Sequence, residues 1–142
     1  MQLSPPVSVF LGVLDQLSRA AIGRRDDLGA VLEAAYRGGR EQDLDALAFA
    51  GKFCVRTLRI MERIGPGGEG YDRLAAEFSS NIENARRLLA LLLAAAPEET
   101  RTAFTGRYLS MATDGIGNLM ALLSDLSWVK NWQIDNPGKT PW

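Results

Sequence analysis

Residues 43–64 read "DLDALAFAGKFCVRTLRIMERI". Leu44, Leu47, Ala48, Gly51, Val55, Leu58 and Met61 recur at helical spacing and form one apolar stripe. Phe49, Phe53, Ile60 and Ile64 form a second stripe. A helix that is apolar on two sides is a central one, with neighbours on both flanks. At ~1.5 Å per residue it is ~30 Å long, enough to run the height of a small bundle. The same stretch carries Lys52, Arg56, Arg59 and Arg63, spaced 4, 3 and 4. On a helix these four cations fall within roughly 60° of one face.

The pattern continues outward in both directions. Downstream, "GPGGEG" at 65–70 breaks the chain, with four glycines and a proline in six residues. A further helix runs from Tyr71 to about Ala95, lined by Leu74, Ala75, Phe78, Ile82, Ala85, Leu89 and Leu92. Pro97, Glu98 and Glu99 suit the start of the next helix, because a proline costs no hydrogen bond there and acids complement the positive helix end. This last helix is expected to reach about Trp132, with a kink or a close helix approach at "DGIGN", 114–118. Upstream, Asp26 can cap a short helix that "GG" at 38–39 ends. A first helix is expected from Ser4 to about Ala21. Long helices joined by short connections predict an all-α fold, an antiparallel four- to five-helix bundle. The bundle is expected over residues 1–133 as one domain, followed by a short extended tail over 134–142.

Composition removes several kinds of chemistry. The chain has 142 residues, 46% of them hydrophobic and 23% charged, so it can bury a core without a disulfide or metal staple. There is no histidine, which excludes Ser-His-Asp and Cys-His catalysis and Glu-x-x-His metal sites. One cysteine excludes an internal disulfide, and with no histidine it makes structural zinc implausible. Cys54, between Phe53 and Val55, reads as a small core hydrophobe rather than a reactive thiol. The acids do not repeat at metal-binding spacing on two helices, and the glycine loop lacks the Gly-Lys-Ser/Thr of a phosphate loop. No catalytic residue, metal or cofactor is expected. The N-terminal stretch does not read as a signal peptide, and "LLALLLAAA", residues 88–96, is too short for the ~20 residues a bilayer needs. A cytoplasmic protein without membrane contact is expected.

Three candidate surfaces remain. All three tryptophans, Trp128, Trp132 and Trp142, lie in the last fifteen residues. They either plug the open end of their own bundle or anchor a contact with another chain. Leu91 and Leu93, on the apolar end of their helix, would join such an interface, most simply in a homodimer. The second surface is the line Lys52, Arg56, Arg59, Arg63. It is either a solvated face partly paired with acids such as Asp45 and Glu62, or a docking strip for phosphates or an acidic partner. A net charge of −1 does not favour nucleic acid, which stays open as a partner. The third is a small-molecule pocket inside the bundle near the glycines, with Tyr108, Asn118 and Asp114 as its polar groups. The leading expectation is a non-enzymatic protein that works through protein–protein contacts, first with itself.

Overall fold

The computed structural model describes residues 25–110 and 113–141, and the side chains of these except 113 and 114. Over them the protein is all-helical. Five helices follow in order: α1 (Arg25–Arg37), α2 (Glu41–Ile64), α3 (Tyr71–Leu93), α4 (Glu98–Tyr108) and α5 (Thr113–Asp135). The helix expected over Ser4–Ala21 lies outside the described residues, as does Trp142.

α2 is the central helix and packs most extensively on α5 and α3. Its first stripe is buried as the sequence implies, through Leu44, Leu47, Leu58 and Met61. Each buried leucine is worth ~1.5–3 kcal/mol of transfer from water. Across from them, Phe78, Ile82 and Leu89 of α3 and Leu119, Leu123 and Leu126 of α5 complete the core. α2 and α5 approach until their backbones nearly touch. A Cβ added at Gly51 would lie 2.3 Å from the carbonyl oxygen of Leu123. Six residues earlier on α2, Asp45 pairs with Lys130 of α5 at 3.1 Å. Descending α2 therefore means ascending α5, and the two are antiparallel.

The connections are built by specific local chemistry. Gly65 ends α2 at φ 80°, ψ 154°, a conformation that only glycine adopts without strain, while its N–H donates to the Met61 carbonyl at 2.9 Å. At the other end of α3, Arg101 reaches back and donates to the Ala96 carbonyl at 3.2 Å, placing a cation on the negative helix end. Arg86 of α3 pairs with Glu83 at 2.6 Å and donates to the Leu109 carbonyl at 3.4 Å, tying α3 to the corner after α4.

Two expectations are corrected here. The helix predicted over 98–132 is two helices, the first ending at Tyr108 and the second beginning at Thr113, so the break comes before the glycines. Gly115 explains the corner, because a Cβ there would sit 2.3 Å from the Ser110 carbonyl oxygen. Gly106 and Gly117 have no neighbour within 4 Å and mark no close approach. The last helix also runs on to Asp135, beyond Trp132. After it the chain turns around Pro137 and Gly138, and Gln133 Nε2 holds the Lys139 carbonyl at 2.8 Å.

Candidate functional site

The second apolar stripe of α2 is not a core face. Phe49 is 68% exposed and Ile64 is exposed, while Phe53 and Ile60 are only partly buried. Phe49 and Phe53, one turn apart, have ring centroids 6.4 Å from each other. This is the reverse of what a stripe on a central helix predicts. The neighbours α3 and α5 pack against α2, whose buried residues are those of the first stripe with Ala50, Cys54 and Thr57, and no described helix buries Phe49 or Ile64.

Directly beside that stripe lies the basic line. Lys52, Arg56, Arg59 and Arg63 are all exposed. By helical geometry they take ~60° of the α2 surface, and Phe49, Ile60, Phe53 and Ile64 take the adjoining ~60°. Among the described residues none of the four cations forms an ion pair. The pairing expected with Asp45 is taken by Lys130 instead, and Glu62 pairs with none of them. Asp43 is likewise committed, to Arg40 at 3.0 Å.

The open face is bounded by two hollows. On the α5 side, a groove of about 470 Å³ runs between Phe49 and Lys52 on one wall and Lys130, Asn131 and Ile134 on the other. Ile134 is 73% exposed, so the two most exposed large apolar side chains among the described residues face one groove. On the α3 side, a hollow of about 750 Å³ lies between Phe53 and a polar wall that includes Glu77, Asn81, Glu83 and Arg87. No three side chains among the described Asp, Glu and Cys residues gather as a metal site would require.

The other candidates fall in different places. Trp128 is 49% exposed, on a side of α5 away from the groove, and Trp132 is partly buried. Leu91 is 47% exposed, but Leu93 is 2% exposed and belongs to the core. Residues two apart on a helix point ~200° apart, so these leucines do not share a surface. Tyr108 and Asn118 do not converge on a pocket. The Tyr108 hydroxyl donates to the Asp27 carboxylate, which also takes Arg107 at 2.6 Å, and the Arg107 guanidinium lies 5.7 Å from the Phe104 ring. This latch joins α1 to α4. Asn118 instead caps the Arg107 carbonyl at 3.2 Å. The Asp114 side chain lies outside the described residues.

Cys54 is fully buried, and burial pushes its thiol up to about 12. It is inert at neutral pH. Sequence reasoning passed over Thr57 and Asp125, the polar side chains buried in the described core. A signal existed for Asp125: it is the lone charge in the apolar run from Leu119 to Val129. No protein family, characterised protein or solved structure shows significant similarity to this chain. No described helix is long and apolar enough to cross a membrane.

Proposed function

We propose that the protein is a non-enzymatic binding module that works through protein–protein contact, with the α2–α5 groove as its working surface. The observation that carries this reading is the placement of Phe49 and Ile134 on opposite walls of one groove, each more than two-thirds exposed. Solitary exposed apolar side chains are normal on any protein, but large ones gathered around a groove mark a contact site. The test is a photo-crosslinking amino acid placed at position 49, 134 or 36 in cells of the source organism. Tyr36 is an exposed aromatic far from the groove in sequence and serves as the control. Discrete products from 49 and 134, and none from 36, support the reading. No products, or the same products from all three positions, would overturn it.

Self-association is a second reading, favoured by the half-exposed Trp128 on a different side of α5. Trp132 and Trp142 would extend that contact. Light scattering on the full chain, on Trp132→Ala and on a chain ending at Gln133 decides it. A larger mass for the full chain alone supports a tryptophan-anchored assembly, and monomers throughout remove it.

A further inference from the structure

We infer that the outer face of α2 docks one acidic amphipathic helix of a partner protein. The inference rests on the binding-module reading above and names the class of partner. Its basis is the juxtaposition of two parallel strips on one helix: an apolar stripe that is exposed at Phe49 and Ile64, and four exposed cations that form no ion pair among the described residues.

The apolar strip sets the shape of the occupant. Phe49, Phe53, Ile60 and Ile64 are spaced 4, 7 and 4. From first to last they cover ~22 Å, about four helical turns. A second helix presents knobs with the same repeat and can interdigitate along that length. The cation strip sets the charge. Lys52, Arg56, Arg59 and Arg63 need carboxylates along one flank of the incoming helix. The opposite flank carries no matching cation line: the hollow on the α3 side holds Glu77, Glu83 and Arg87, and both glutamates are paired with arginines of their own helix. The acidic edge of the partner therefore lies towards α5, on the side of the cation line, where Lys52 borders the α2–α5 groove. This gives the docked helix one rotational setting.

The same charges disfavour the other occupants. A second copy of the chain, docked two-fold on this face, would set the basic line against itself or lay it over the apolar stripe. The first arrangement repels, and the second strips water from four cations without a partner charge. Nucleic acid would use the cations but leave Ile60 and Ile64 dry against a polar backbone, since only Phe49 and Phe53 can stack on bases.

The experiment uses the full chain and three labelled peptides of about 20 residues, read by fluorescence anisotropy. One is an amphipathic helix with leucines on one side and glutamates on the flank. The second has lysines in place of the glutamates, and the third is a scrambled glutamate sequence. The glutamate helix should bind at least about tenfold tighter than either control, and weaken about tenfold between roughly 50 and 300 mM salt. Arg56→Glu/Arg59→Glu should reverse the preference towards the lysine helix. Both arginines are exposed, so the substitution leaves the fold in place, which circular dichroism checks; Lys52→Glu/Arg63→Glu is the second variant. Equal binding of all three peptides, or no binding, overturns the inference. Tighter binding of a single-stranded oligonucleotide or of phosphatidylglycerol vesicles also overturns it. Should the peptides fail while cross-links from positions 49 and 134 persist in cells, the module reading stands and only the partner class is wrong.

Discussion

Cys54 and Gly65 show how far single residues are committed to the fold. The Cys54 thiol is raised by burial to about 12, so the folded state holds its proton where the unfolded state, with an ordinary value near 9, releases it. The folded chain then binds more protons than the unfolded chain, and stability falls as pH rises from about 9 towards 12. Below pH 9 this contribution is fully present. Unfolding midpoints followed from pH 8 to pH 10.5 should decline more steeply in the wild type than in Cys54→Val. Parallel slopes would show that the thiol does not sense its burial. A thiol reagent at neutral pH should label Cys54 only through unfolding, so its rate should rise with denaturant. Gly65 has a backbone conformation closed to side chains, and Gly65→Ala should cost about 1–3 kcal/mol in chemical denaturation. A neutral result would mean that the turn after α2 relaxes freely.

At the scale of elements, α2 was legible and its surroundings only in part. Its length and its buried stripe follow from periodicity, which records how one helix distributes its apolar side chains. Periodicity does not record what covers a stripe. The Phe49–Ile64 stripe looks like a second core face in sequence and is open in the fold. Leu93 looked like a surface residue and is core. The cation line is visible as spacing, but its lack of ion pairs among the described residues is not, because that depends on which groups distant helices bring near, as Lys130 taking Asp45 shows. The break after Tyr108 is not read from the glycines, because those that permit it, Gly115 above all, follow the break rather than make it. The contact of α2 with α5 gives the sharpest element-level prediction. Gly51→Ala places a methyl group against the Leu123 carbonyl and should destabilise the protein by about 1–3 kcal/mol, because the two helices must separate. Gly117→Ala, with open space around it, should be neutral or stabilising, by up to ~1 kcal/mol of helix propensity. Equal effects of the two substitutions on the denaturation midpoint would contradict the close approach.

At the scale of the whole molecule, large apolar side chains of the central helix and of α5 stay at the surface, Phe49 and Ile134 most of all among the described residues. Phe49 and Ile134 contribute little to the protein's own core, while Leu44, Leu47, Leu58 and Met61 carry it. The central claim is that the two exposed side chains serve contact rather than folding. The most direct measurement is the unfolding free energy of the double variant Phe49→Ser/Ile134→Ser beside that of the wild type, by urea titration of the full chain. Surface changes away from buried features stay within about 0.5 kcal/mol, and the double variant should fall in that range with an unchanged slope. A loss of about 2 kcal/mol or more, the size expected for truncating a core residue, would mean that these side chains hold the bundle together and that the α2–α5 face is not free to bind.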